Sequence, residues 1–145
     1  MKELKVASPA FEANQHIPEK YGCEGINPPL TIEDIPKEAK SLALVLDDPD
    51  APAGTFDHWV VWNIPSTVTQ IAEDTVPGTE GLNSDGENRY TGPCPPPGKP
   101  HRYFFKIYAL DIMLNLDVRS TKRELKHAMN GHVLAEGKLM GLFSR

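Results

Sequence analysis

Fourteen prolines lie among the 145 residues, about twice the usual share of roughly 5%. They are scattered from Pro9 to Pro100 rather than gathered in one tract. Each proline fixes φ and removes a backbone donor, so such a density excludes long helices and favours strands joined by stiff turns. At 39% hydrophobic and 24% charged residues, the chain has the balance of a globular protein and the length of one domain, spanning 1–145. The longest uncharged run, His58 to Ala72, is interrupted by Pro65 and is too short and too polar to span a bilayer as a helix. The start, Met1-Lys2-Glu3-Leu4-Lys5, has no apolar stretch of a secretory signal, so a cytoplasmic location is expected. A net charge of −5 and a pI of 5.5 exclude non-specific nucleic-acid binding, which needs clustered Lys and Arg.

Apolar runs of strand length are set off by Gly, Pro, Asp and Asn. Leu42–Leu46 is continuously apolar, as suits a strand covered on both faces. Trp59–Ile64 is stopped by Pro65, and Arg102–Leu110 is rich in aromatic and β-branched residues. A short strand is expected around Leu4 and Val6, and a last one within Val133–Phe143, kinked or bulged near Gly137 and Gly141. A short turn is expected at Thr31–Ile35, ended by Pro36. One helix is predicted, beginning near Lys122: Thr121 and Glu124 form a capping box, Leu125, Ala128 and Met129 share a face, and Gly131 supplies the stop. The segment Pro77–Pro100 reads as a long loop. The fold class that follows is all-β, an antiparallel sandwich with Greek-key connections and one or two short helices.

Cys23 and Cys94 are too few for a disulfide framework or a cysteine-built zinc site, and in a reducing compartment free thiols are expected. The chemistry concentrates in two segments at strand ends. Asp47-Asp48-Pro49-Asp50-Ala51-Pro52 follows the Leu42–Leu46 strand and leads to Phe56-Asp57-His58-Trp59; Gly92-Pro93-Cys94-Pro95-Pro96-Pro97-Gly98-Lys99-Pro100-His101-Arg102-Tyr103 leads into the third strand. Prolines hold these polar side chains on loops with little freedom, which builds a stiff pocket at the rim of a sandwich. The Ala51-Pro52 bond is expected to be cis, since such bonds favour tight turns.

The ordered set, together with Cys23-Glu24-Gly25-Ile26-Asn27-Pro28-Pro29-Leu30 and Gly131-His132-Val133-Leu134-Ala135, closely resembles the phosphatidylethanolamine-binding protein family, in particular its short bacterial and archaeal branch, related to Raf kinase inhibitor protein. The resemblance implies two antiparallel sheets with a small anion pocket at one end. It places Asp48, Asp50, His58, Gly92, His101 and Tyr103 around the ligand, Gly92 through its backbone, with Pro52, Trp59, Pro93 and Cys94 lining the pocket. Its ligands are phosphate-like and carboxylate groups, including a phospholipid head group; no cofactor or metal is implied. The residue types suit this: histidine and tyrosine donate, glycine lets backbone approach, and aspartate orients a histidine or accepts from a ligand proton. Longer members carry a C-terminal helix over the pocket; this chain ends at Arg145, so a more open pocket is expected.

Other readings of the same residues stand beside this one. Asp48 and Asp50 also suit turns, His58 and His101 also suit a hydrogen-bonded rim, and Trp59, Trp62, Phe104 and Phe105 suit a core. His16, His127 and His132 belong to no motif and are expected at the surface. A metal-dependent hydrolase using Asp48, Asp50, His58 and His101 is the alternative function. A serine hydrolase is excluded by the lack of a Gly-x-Ser-x-Gly elbow. The expected partners are a small anionic ligand, a kinase or protease as suggested by the family, and a second copy of the chain, with Trp59 or Trp62 contributing apolar interface.

Overall fold

The structure, a computed structural model, describes residues 2–145. Its elements in chain order are β1 (Lys2–Glu3), β2 (Lys5–Ala7), β3 (Leu30–Glu33), β4 (Ser41–Asp48), β5 (Phe56–Pro65), β6 (Gln70–Ile71), β7 (Thr79–Glu80), β8 (His101–Leu110), α1 (Lys122–Met129) and β9 (Val133–Phe143). A six-stranded sheet runs β1-β9-β8-β4-β5-β7, and a three-stranded sheet β2-β3-β6 packs over it. The order β8-β4-β5-β7 brings the later strand back beside β4, which is the Greek-key connection. All pairs within these sheets are antiparallel except β1 with β9.

Every residue of β4 is buried, and the alternation of its side chains explains why its apolar run is unbroken. Leu42, Leu44 and Leu46 enter the core between the sheets. Ala43 and Val45 enter a second core on the opposite face, beneath Leu125 and Met129 of α1. The capping box is present: the Thr121 backbone N–H and hydroxyl both donate to Glu124 Oε1 at 2.8 Å. Gly131 ends the helical segment with φ +83°. No helix among the described residues is long and apolar enough to cross a membrane.

Several expectations are corrected. Thr31–Ile35 contains strand rather than turn, because Leu30 and Ile32 are buried while Thr31 and Glu33 face outward, a period-two pattern. β9 runs unbroken through Gly137 and Gly141; the ladder irregularity lies where Ala109 pairs Ala135 and Leu110 pairs Val133. The glycines instead permit contact: a Cβ on Gly137 would lie 2.2 Å from the Leu4 carbonyl oxygen, and one on Gly141 would lie 2.6 Å from Ile17. No peptide bond among the described residues is cis, so Ala51-Pro52 is trans. Trp62 is 1% exposed in the core beneath α1, and Trp59 is equally enclosed between the sheets, so neither offers an apolar interface.

Cys23 and Cys94 form a disulfide, with Cα atoms 4.6 Å apart, in place of the free thiols expected. The backbone sets this up. Gly92 N–H donates to the Cys23 carbonyl at 3.0 Å and Cys23 N–H donates to the Pro93 carbonyl at 2.7 Å, which brings the two residues within bridging range.

Candidate functional site

The polar ends of β4, β5 and β8 meet at one rim of the sandwich. The register of β4 against β5 slips there: Leu46 pairs with Trp59 but Asp47 pairs with Asp57, so His58 is an extra residue. Such a bulge re-aims a side chain that regular alternation would send elsewhere. His58 turns into a pocket of about 250 Å³, shared with Asp48, Gly92, His101 and Tyr103. Behind the bulge, Lys122 Nζ sits 2.8 Å from Asp57 Oδ1 and 3.3 Å from Asp47 Oδ2, tying the start of α1 to both strands.

The two histidines are oriented by different partners. His58 Nδ1 lies 2.7 Å from the Thr91 carbonyl, which can only accept, so Nδ1 carries the proton. His101 Nδ1 lies 2.7 Å from Asp48 Oδ2 and donates to it. In each ring only Nε2 remains for a ligand. Asp48 is nearly enclosed, with its side chain 4% exposed, and its other oxygen accepts the Asp50 N–H at 2.8 Å. Tyr103 is held between the imidazoles, edge-on to His58 with centroids 5.4 Å apart and stacked on His101 at 6.4 Å.

Burial sets the protonation of the site. It lowers the pKa of His58 against the opposing pull of the Thr91 carbonyl and of Asp48, Asp85 and Asp57. Burial also raises the Tyr103 phenol, assisted by Asp48, so Tyr103 is a neutral donor across the physiological range. A His58 pKa below its unfolded value of about 6.5 means that the unfolded chain binds the extra proton first. Stability is therefore full above about pH 6.5 and falls as pH drops below it. Urea denaturation across this range should show the loss, and His58→Gln should reduce it; an unchanged slope in the variant would assign the titration to another group.

The remaining expected residues divide. Pro52 and Cys94 line the pocket, where Ala51, Phe56, Pro95 and Pro96 supply further apolar wall and Asp85 and Thr91 further polar groups. Asp50 lies outside it: its carboxylate accepts from Arg102 at Nε, 2.9 Å, and at Nη2, 2.8 Å, as well as from the Arg102 backbone N–H. The guanidinium lowers the Asp50 pKa to about 2, so Asp50 fastens the β4–β5 loop to β8. Trp59 is turned away, donating to Glu80 at 2.7 Å, and Pro93 is buried beside the wall without lining it. Gly92 lines the pocket, but its N–H is spent on the Cys23 carbonyl. Its lack of a side chain serves packing, since a Cβ would lie 2.5 Å from the Tyr21 carbonyl oxygen.

Outside the pocket, His16 and His127 are exposed, as expected, and His132 pairs with Asp111 at 2.8 Å. The four residues of the hydrolase alternative do not converge, because Asp50 is engaged by Arg102. No group of three or more His, Cys, Asp or Glu side chains is disposed to hold a metal ion among the described residues. That alternative has no support in the geometry. A larger depression of about 780 Å³ borders β3, but its wall contains no histidine or tyrosine.

Asn83 is a residue that sequence reasoning missed. Within Pro77–Pro100, expected to be a loop but containing β7, Asn83 is 4% exposed and makes four hydrogen bonds. Its carbonyl accepts from Asp85 and Glu87 N–H, and its amide donates to the Arg89 carbonyl and Thr91 Oγ1. It thereby shapes the approach to Thr91, on which the His58 tautomer depends. A lone asparagine beside Ser and Gly carries only a generic turn signal.

A two-sheet Greek-key sandwich with a paired-histidine rim pocket defines a class of small β-fold proteins whose site is built on stiff loops. The chain belongs to the phosphatidylethanolamine-binding protein family, whose model matches residues 7–144. A UPF0098 protein of Pyrococcus horikoshii is 49% identical, covering 98% of this chain and 77% of the relative. One from Methanothermobacter thermautotrophicus is 45% identical, covering 98% and 99%. The crystal structure of a putative phosphatidylethanolamine-binding protein homologue from Chlamydia trachomatis matches with a TM-score of 0.94 at 41% identity, covering 100% of this chain and 99% of that one. The crystal structure of Escherichia coli YbcL, a new member of the mammalian phosphatidylethanolamine-binding protein family, matches with a TM-score of 0.90 at 30% identity over 99% of both chains.

Proposed function

We propose that this protein is a binding module for a small oxyanion, a phosphate or carboxylate group, and not an enzyme. The observation that carries the reading is the convergence of His58, His101 and Tyr103 on one pocket, with Nδ1 of each imidazole engaged elsewhere. Each Nε2 is then the ring nitrogen left for a ligand. The apolar wall of Pro52, Pro95 and Pro96 excludes water from one side of the ligand and strengthens its hydrogen bonds. A phospholipid head group or a phosphoryl-bearing protein partner presents the same chemistry, and modulation of a kinase or protease is the role such binding would serve. Asp48 orients His101 in this reading, and Asp50 acts through Arg102 and the loop rather than through the ligand.

Calorimetric titration with inorganic phosphate and with acetate tests it. At mildly acidic pH, where a bound anion favours the imidazolium of His58 and so an Nε2–H donor, His58→Ala is expected to weaken binding by roughly 10- to 150-fold, the value of a charge-assisted hydrogen bond. Tyr103→Phe is expected to cost less, about 2- to 13-fold for a neutral donor. Parent-like affinity in both variants would place the anion elsewhere.

A further inference from the structure

The Cys23–Cys94 bridge stands at the edge of the pocket rather than in the body of the protein. Neither cysteine belongs to the core between the sheets or to the one beneath α1. Cys94 is exposed and lines the pocket, whereas Cys23 is half-buried and does not line it. On either side of Cys94 the chain forms one wall of the pocket, from Thr91 and Gly92 to Pro95 and Pro96.

The two halves of that wall are held by different means. Before Cys94, backbone bonds hold it: the Thr91 N–H donates to the His58 carbonyl at 3.0 Å, the Gly92 N–H to the Cys23 carbonyl at 3.0 Å, and the Cys23 N–H to the Pro93 carbonyl at 2.7 Å. The Tyr90 hydroxyl adds a buried bond to the Tyr21 carbonyl at 2.6 Å. Beyond Cys94, Pro95, Pro96 and Pro97 have no N–H to offer. That half is tied by the bridge at one end and by Arg145 at the other, whose Nε donates to the Pro95 carbonyl at 2.6 Å and whose carbonyl accepts from the Gly98 N–H at 3.3 Å. Opening the bridge therefore loosens the proline half of the wall and leaves in place the half that orients His58.

We infer that the bridge is a reducible site that sets the affinity of the pocket: a dithiol opens it from the Cys94 side, and the folded, reduced protein binds its oxyanion more weakly. This rests on the oxyanion reading above. A thiolate of the dithiol attacks Sγ of Cys94, the more exposed residue of the pair. The new S–S bond forms as the Cys23–Cys94 bond breaks, and Cys23 leaves as a thiolate. The second thiol then displaces Cys94 and closes the reductant's own disulfide. Two electrons and two protons pass from the dithiol to the cysteines. With the prolines loosened, water reaches the side of the ligand that they cover, and the hydrogen bonds to the anion weaken. Linkage makes the effect reciprocal, so a bound oxyanion opposes reduction by the same factor.

The test titrates inorganic phosphate calorimetrically into the oxidised protein and into protein kept reduced by dithiothreitol, with near-ultraviolet circular dichroism reporting the fold of each. The reduced form is expected to bind about 2- to 13-fold more weakly, the value of one neutral hydrogen bond. In a redox titration, saturating phosphate should lower the potential of the bridge, by about 30 mV for a tenfold difference in affinity. Reduction in native buffer should quicken in proportion to dithiothreitol, since Cys94 is reached without unfolding. The double variant Cys23→Ser with Cys94→Ser should bind phosphate as the reduced protein does. A bridge that dithiothreitol leaves intact, a rate that levels off with the dithiol, equal phosphate affinity in the two folded states, or a reduced chain that unfolds outright would each overturn the inference and leave the oxyanion reading intact. An oxidised protein that binds neither phosphate nor acetate would overturn both.

Discussion

Reduction of the Cys23–Cys94 bridge is expected to lower the unfolding free energy by about 4 kcal/mol, the chain-entropy value for closing a loop of this size. The bridged residues are 71 apart in sequence, so the unfolded chain regains much freedom when the bond opens. The local consequence reaches the pocket, because Cys94 is in its wall. The Pro95-Pro96-Pro97 stretch beyond it has no backbone N–H with which to hold itself; the Arg145 side chain, donating to the Pro95 carbonyl at 2.6 Å, offers a second tie. Thermal unfolding with and without a dithiol, and of the double variant Cys23→Ser with Cys94→Ser, measures the effect. A loss below about 1 kcal/mol would mean that the paired backbone hydrogen bonds between Cys23 and Gly92–Pro93 suffice.

The second large effect is expected at Asn83. Replacing it by Ala removes four hydrogen bonds from a buried position, at about 1 kcal/mol each less what water restores, so roughly 3 kcal/mol in total. The disturbance should travel to the site. Thr91 loses a neighbour, its carbonyl shifts against His58 Nδ1, and water reaches the imidazole. His58, held low by burial, should then titrate closer to its ordinary value. Denaturation gives the stability change and proton NMR of the imidazole gives the titration. A destabilised Asn83→Ala protein whose His58 titrates as in the parent would separate loop stability from the site.

The contrast between Asn83 and β4 explains what the sequence makes legible. β4, β8 and α1 announce themselves because their signals are local: an unbroken apolar run, a dense aromatic stretch, and a capping box with a repeating apolar face. The pocket segments are legible for a different reason, a long ordered pattern of Asp, His, Pro and Gly resembling one family. What stays hidden depends on partners distant in the chain. Nothing near Cys23 says that Gly92 will meet it, and nothing near Asp50 says that Arg102 will claim its carboxylate ahead of the ligand. The same holds for the His58 bulge, which is visible only once β4 fixes the register of β5. Strand β3 is the exception, since the Leu30–Glu33 alternation is local but only four residues long and ends beside Pro36.

The short strands at the margins of the sheets bear on how copies of the chain can meet. The larger sheet ends in β1 and β7, each of two residues, and the smaller in β2 and β6, of three and two. An open edge of that length offers a visiting strand only one or two pairs of backbone hydrogen bonds, too few to template a continuous intermolecular sheet. The long, aggregation-prone strands β4, β5, β8 and β9 all lie inside. Where β7 and β1 stop short, loop backbone takes over the outer edges of β5 and β9: the Ser84 and Thr91 N–H groups donate to the Asp57 and His58 carbonyls, and the Asn14 and Ile17 N–H groups to those of Met140 and Leu142, which disfavours self-association by strand addition.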